Sequence, residues 1–356
     1  MNQESNLKVE LVPKFVIELV NDNAFTFISA ALKRITSSMF NLLVSLIFIV
    51  LLTLSDLFIT FFNLLIPSRD LHETVPKPFS AEEPPSVFEH PFIYLLCKLA
   101  NLYDPHQKPE WIKFWSTWDG IDHDGNWGEV KVGKLKKENY SRSPCPAINA
   151  LANHGIIKRS GRNLSFHEIA SAISRTYNLS PTLAIQLLAS SYPIFKGRTG
   201  IDLSDLSAHG LIEHDGSLLR SDVNSPDYEF IPDNQSYPCT NLINRFFPDS
   251  PHPMTFMELS NSLALRRAEC EARNGTFYRH VLSDLFGSGN CGLMLEVTDG
   301  NRKVIRAWFG IHGHEHFQPR WKPANRQAFG TSILRAQILM FRIELGTGWN
   351  GAERHL

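Results

Sequence analysis

The chain has 356 residues, 43% hydrophobic and 20% charged, which suits one large domain or two modest ones with a sizeable core. Lysine plus arginine (35) almost balances aspartate plus glutamate (36), so there is no basic footprint and nucleic acid is excluded as a partner. The five cysteines, Cys97, Cys145, Cys239, Cys270 and Cys291, form no Cys-x-x-Cys pair, which argues against a zinc site built from thiolates. Their odd number leaves at least one thiol free, and their spacing fixes no disulfide.

Residues 1–38 read as a polar N-terminal segment. No residue between Arg34 and Asp56 is charged. Residues 39–66 are expected to form a transmembrane anchor, because more than about 18 consecutive apolar residues suffice to cross a bilayer. The span is placed at about residues 40–59. A lone acid in mid-bilayer costs roughly 2.5–3.5 kcal/mol, so Asp56 is expected near an interface. The run starts too late and is too long for a signal peptide. It also shows no recurring polar residues such as the outer face of a core helix would need. Lys33 and Arg34 before the span balance Arg69 and Lys77 after it. Asn-x-Ser/Thr sequons at Asn139, Asn163, Asn178, Asn234 and Asn274 favour a glycosylated, lumenal or extracellular domain.

Residues 67–104 read as a linker and aromatic membrane-proximal segment, with Val75–Pro85 rich in proline and glutamate. Trp111, Phe114, Trp115 and Trp118 suit either an interfacial belt or core packing. The Asp119–Asn126 stretch looks like a calcium loop. Counted from Asp122, it lacks the glycine at the sixth position and the acid at the twelfth, so a solvated turn is expected.

A single domain is expected over residues 105–356. Helical spacing is seen at Pro146–His154, Phe166–Tyr177, Thr182–Ser190, Met254–Asn274 and Thr331–Leu345, with Gly155 stopping the first. Strand-like alternation is confined to Leu293–Val297 and Val304–Trp308. The fold class is therefore mostly α.

The most informative stretch is Ser141-Arg-Ser-Pro-Cys-Pro-Ala-Ile-Asn-Ala-Leu-Ala-Asn-His-Gly155. Cys145 precedes a helix opened by Pro146, a favoured first-turn residue. The free N–H groups of Ala147, Ile148 and Asn149 are expected to point back at the sulfur and lower its pKa. On local chemistry alone, a buried structural cysteine is the commoner fate. The string Ser-Pro-Cys-Pro-Ala followed by Asn-Ala-Leu-Ala-Asn-His-Gly, however, is very similar to the proximal signature of the fungal chloroperoxidase and unspecific peroxygenase family. That resemblance implies a single helical haem-thiolate peroxidase domain with haem b, and Cys145 as its iron ligand. A thiolate ligand pushes electron density onto iron and favours O–O cleavage of peroxide.

A second stretch, Leu211-Ile-Glu-His-Asp-Gly-Ser-Leu-Leu-Arg-Ser-Asp222, resembles the same family's Glu-His-Asp motif. Alone it is weak, and an acid-rich helix start with a satisfied histidine would explain it. By resemblance, the Glu213 carboxylate, the His214 main-chain carbonyl and the Ser217 hydroxyl bind magnesium beside a haem propionate, as hard oxygen donors suit that ion. His214 is then catalytic in the distal pocket, with Asp215 orienting it. The resemblance runs to Trp321 and includes Glu315-His-Phe-Gln-Pro319.

One departure bears on chemistry. The family's distal glutamate follows a stretch matched here by Ala272-Arg-Asn-Gly-Thr-Phe277. Through Phe286-Gly-Ser-Gly-Asn-Cys-Gly-Leu-Met-Leu295, its position falls on Asn290, which cannot shuttle a proton. Three readings stand: His214 takes the role itself, Glu296 or Asp284 reaches the site, or the haem serves coupling, rearrangement or dehydration. A silenced haem-binding paralogue is the binding-module alternative. His312-Gly-His-Glu-His316 has metal-ligand types on alternate positions, but a polar loop is the preferred reading. The resemblance as a whole implies a membrane-anchored oxidoreductase using hydrogen peroxide on a small organic, secondary-metabolite-like substrate, with halide use left open.

Overall fold

The computed structural model describes residues 43, 46–66, 140–210, 212–222, 236–273 and 281–351. The polar segment 1–38, the linker, the Trp111–Trp118 cluster, the Asp122 loop, Cys97 and the sequons at 139, 234 and 274 lie outside these residues. The chain divides into two compact units, residues 1–55 and 56–356.

The first long helix, α1 (Leu46–Leu65), is long and apolar enough to cross a membrane, with a mean hydropathy of 2.1 in its most apolar stretch. The unit boundary falls inside this helix, within the expected anchor 39–66. Its cause is a polar face that the apolar run conceals. Asp56, Thr60 and Asn63 stand at i, i+4 and i+7 and share one side of the helix. Asp56 is only 3% exposed. Its carboxylate accepts from the Thr182 hydroxyl (2.7 Å) and from the main-chain N–H groups of Ile333 (2.8 Å) and Leu334 (3.0 Å). Thr60 donates to the Ser332 hydroxyl (2.9 Å). Asn63 donates to the Gly330 carbonyl (2.9 Å) and accepts from the Phe329 N–H (2.9 Å). Asp56 thus meets protein donors rather than a water interface, and the expectation that no polar face recurs in this run is corrected.

The body is built from α2 (Pro146–His154), α3 (Phe166–Tyr177), α4 (Pro181–Ala189), the short α5 (Tyr192–Phe195), a 3-10 turn at Leu203–Ser207, α6 (Thr240–Phe246), α7 (Phe256–Arg273), α8 (Val281–Thr298), α9 (Arg302–Trp308) and α10 (Ile333–Gly351). Local sequence explains the helix ends. Ser165 and Ser180 accept from the N–H groups of Glu168 and Leu183 and cap α3 and α4. Gly155, at φ 77°, closes α2 in the left-handed region. Asp56 does the capping work for α10 from outside that helix.

Among the described residues there is no strand, only isolated bridges such as Leu164 with Ile201. The two strand-like stretches are corrected: Leu293–Val297 lies in α8 and Val304–Trp308 is α9. Helix α8 packs on both α7 and α10, so it is apolar on several sides and loses the one-faced pattern. Helix α9 is too short to display its period, and its start is fixed by Asn301 accepting from the Lys303 and Val304 N–H groups. Gly292 permits the α8–α10 approach, since a Cβ there would sit 2.9 Å from the Leu339 Cβ. Leu151, Ile169, Leu183, Ile201, Ile243, Leu259 and Ile343 are almost fully buried in one core. Each such side chain contributes about 1.5–3 kcal/mol of burial.

Candidate active site

Cys145 is the N-cap residue of α2, and the loop before it is braced by one asparagine. The Asn149 side chain accepts from the Ser143 N–H (2.8 Å) and donates to the Ser143 carbonyl (2.8 Å). The Ser143 hydroxyl in turn accepts from the Cys145 N–H (3.2 Å). This closes the turn that presents the sulfur. The main-chain N–H groups of Ala147 and Ile148 reach the sulfur, whereas that of Asn149, the third expected there, donates to the Cys145 carbonyl (3.2 Å). The predicted drop in pKa does not follow. Burial pushes the Cys145 thiol up and outweighs those two N–H groups and the nearby Arg220. An added positive charge at the sulfur is what would ionise it.

Glu315 joins the site's three segments. Its Oε1 accepts from Asn149 Nδ2 (3.0 Å) and from Arg220 Nη2 (2.8 Å), while its carbonyl accepts from Asn153 Nδ2 (2.7 Å). Arg220 and Glu315 form a buried ion pair. The α2 helix is therefore bolted at one side chain to the segment that carries His214. His154 accepts from the Phe317 N–H (2.8 Å) and stacks on the Phe317 ring at 4.8 Å. Tyr177 donates to the Ala147 carbonyl (2.7 Å). Tyr177, Trp308, Phe317 and Trp321 pack together behind the helix, with ring centroids 4.9–6.2 Å apart.

On the other segment, Glu213 is buried. One carboxylate oxygen meets His209 Nδ1 at 2.5 Å, and the other, Oε1, has no hydrogen-bond partner. Burial raises the Glu213 pKa against the opposing pull of His209. Ser217 accepts from the Leu219 N–H at its hydroxyl (3.3 Å) and from Arg266 Nε at its carbonyl (2.9 Å). Arg266 also pairs with buried Asp222 (2.8 Å), which accepts from the Gly216 N–H (2.9 Å). These bonds hold the loop from Glu213 to Asp222 in shape.

The His214 ring bonds through Nδ1 to the main-chain oxygen of Asp215 (2.8 Å). A carbonyl only accepts, so Nδ1 carries the proton and Nε2 is left as the acceptor. This corrects the expected role of Asp215: its backbone, not its carboxylate, orients the ring. The His214 pKa is lowered, first by burial and then by Arg267 among the charges nearby. Helix α8 meets His214 at Gly287, where a Cβ would lie 3.8 Å from the ring's Cε1.

The alternatives for a distal acid separate here. Asn290 lies on α8 with an exposed side chain. Glu296 is engaged by Arg335 (2.7 Å) and Gln327 (3.0 Å). Asp284 is held by Arg267 (3.1 Å) and acts electrostatically on His214. Arg267 also forks onto Glu344 of α10 (3.0 and 3.1 Å). Sequence reasoning gave no role to Arg220, Arg266, Arg267 or Glu344. Arg266 stands at i+7 from Leu259 and i+3 from Leu263, on their buried side of α7, and that placement among apolar positions was the available sign.

The His312–His316 loop behaves as a loop. Its imidazoles lie 5.4–5.8 Å apart by centroid, Glu315 points into the body, and His316 Nδ1 meets the His314 carbonyl (3.2 Å). Among the described residues, no group of three or more His, Cys, Asp or Glu is arranged to hold a metal ion. Cys145, Cys239, Cys270 and Cys291 are free thiols. Burial pushes Cys291 up to about 12, so it is an inert core group. Of the two described sequons, Asn163 is exposed, whereas the Asn178 amide nitrogen is spent on the carbonyls of Asn325 (3.0 Å) and Gln327 (3.2 Å).

The helical body thus presents the Cys145 thiol at a helix N-cap, tied through buried Glu315 and Arg220 to the segment that carries His214. Residues 134–326 match the family described as "Peroxidase, family 2", and the chain belongs to that family. The chain is also similar to a chloroperoxidase of Leptoxyphium fumago, 33% identical over 100 residues. That match covers 25% of this chain and 27% of the relative, about a quarter of its length.

Two observations bear on the groups that the family implies. Cys145 is a free thiol that already receives the Ala147 and Ile148 N–H groups, as a sulfur ligand to haem iron would. Glu213 Oε1, a buried acceptor without a donor, suits a cation beside the haem's carboxylates.

Proposed function

We propose that this chain is a membrane-associated haem-thiolate peroxidase or peroxygenase that oxidises a small organic molecule with hydrogen peroxide. The observation that carries the reading is the Cys145 turn, built by Asn149 and bolted through Glu315 and Arg220 to the His214 segment. When bound, haem b would supply the redox chemistry at iron, and Cys145 would hold it through sulfur. In the peroxygenase reaction, one peroxide oxygen enters a C–H bond and the other leaves as water, so RH and H2O2 become ROH and H2O.

The protein's own part is proton management. The Nε2 acceptor of neutral His214 is suited to take a proton from bound peroxide and return it to the leaving oxygen. Asp284, fixed by Arg267 beside His214, is the carboxylate best placed to support that exchange, which removes the need for an acid at Asn290. We assign magnesium, if used, to Glu213, the His214 carbonyl and Ser217, an assignment supported by the partnerless Glu213 oxygen. An apolar, secondary-metabolite-like substrate suits a protein carrying a helix as apolar as α1. A lumenal or extracellular domain accords with the exposed Asn163 sequon.

The test is the ferrous-CO absorption spectrum of the haem-loaded protein, followed by peroxide-dependent oxidation of a simple aromatic. The wild type should show the red-shifted Soret band of a thiolate complex, and Cys145→Ala should lose it. An unchanged band in that variant sinks the assignment.

A further inference from the structure

Helix α10 is buried along Ala336, Leu339, Met340 and Ile343. Its opposite side carries Leu334, Ile338, Phe341 and Leu345, exposed by 43%, 60%, 53% and 71%. These four stand at i, i+4, i+7 and i+11, a single narrow stripe with no charge in it. Arg335 and Arg342 border the stripe on one side, the Arg342 guanidinium lying 3.9 Å over the Phe256 ring. An apolar stripe with arginines along one edge, Arg335 paired with Glu296 and Arg342 stacked on Phe256, matches the outer face of a helix lying at a lipid surface.

The stripe begins where α1 ends its docking. Asp56 caps the α10 N-terminus at Ile333 and Leu334, while Thr60 and Asn63 seat the following turns on residues 329–332. The outward side of this same α1 segment is Leu57, Phe58, Phe61, Leu64 and Leu65, all exposed by half or more. Both elements lie outside residues 134–326, the part matched to the family. We propose that residues 57–65 and the Leu334–Leu345 stripe form one lipid-facing surface, so that the catalytic body rests directly on the bilayer. The three-residue polar clasp, rather than the stretch after residue 66, then sets the distance between membrane and body. The inference rests on the membrane association proposed above.

The experiment places a nitroxide label at Ile338→Cys, at Leu345→Cys and, as a reference, at exposed Lys303→Cys on α9, in the haem-loaded full chain bound to phosphatidylcholine vesicles. Relaxation by lipid-soluble oxygen is compared with relaxation by a water-soluble nickel chelate. The oxygen-to-nickel ratio should be several-fold higher at 338 and 345 than at 303. Equal ratios at all three sites overturn the inference while leaving membrane association standing. Shielding of 338 and 345 from both reagents also overturns it, by showing that protein covers the stripe. Failure of the chain to bind vesicles removes the membrane reading itself, and the inference with it. As a second handle, Ile338→Glu with Phe341→Glu should lower vesicle affinity about tenfold or more, since each loses one apolar anchor.

Discussion

Asn149 and Glu213 sit in the two halves of one site and are treated in opposite ways by the fold. Asn149 makes bonds with both its amide nitrogen and its oxygen, to Ser143 and Glu315. Glu213 is just as buried, yet one of its oxygens meets nothing. Asn149 is finished by protein groups alone, while Glu213 keeps an unused acceptor. A buried acceptor left unmade costs about 1–3 kcal/mol. The contrast assigns support of the Cys145 turn to Asn149 and ligand contact to Glu213.

The largest break in that comparison should come from Glu315→Gln. It takes the carboxylate away from buried Arg220, a loss of about 3–5 kcal/mol measurable as a lower urea midpoint. Glu213→Gln in haem-free protein should be near neutral or stabilising, because it removes a carboxylate that burial already disfavours; a loss matching that of Glu315→Gln would erase the distinction drawn between the two halves. Next in size, His214→Ala should cut kcat/KM for peroxide by roughly 10²–10⁴-fold. Asp284→Asn should give a smaller drop, and Asn290→Ala should change turnover least.

The pH dependence sharpens the same comparison. Burial and Arg267 disfavour the His214 imidazolium, so its folded pKa lies below the unfolded value of about 6.5. Between the two values the unfolded chain binds more protons. The contribution of His214 to stability is therefore full above pH about 6.5 and is lost as pH falls through the folded value. The acid limb of the rate profile should likewise lie below the ordinary imidazole range. Unfolding and rate profiles of the wild type against His214→Gln read both, and an acid limb above about pH 6.5 would contradict the neutral ring. The clasp should weigh less than the Glu315 ion pair: Asp56→Ala should cost about 1 kcal/mol as a lost helix cap, seen in the melting temperature in detergent.

Local chemistry was legible wherever neighbours in sequence are neighbours in space. Pro146 and Gly155 bracket α2, Ser165 and Ser180 cap their helices, and the Cys145 turn is written within Ser143–Asn149. The mostly helical class followed from the spacing of apolar residues. Helix α8 was misread in part because it is enclosed by α7 and α10 and shows no polar side. The lowered thiol pKa was misread because dipoles are visible in sequence and desolvation is not.

The sequence by itself determined that Cys145 caps a helix and where that helix begins and ends, since each depends on a short stretch of chain. Only the tertiary structure decided that Glu315 joins those stretches, that Asp215 orients His214 through its backbone, and that Asp284 rather than Asn290 stands near the ring. It alone turned Asp56 from a stray acid in an apolar run into the cap of a helix 277 residues away. Burial and long-range hydrogen bonds are properties of packed surfaces, and no local pattern encodes which surface a residue will meet.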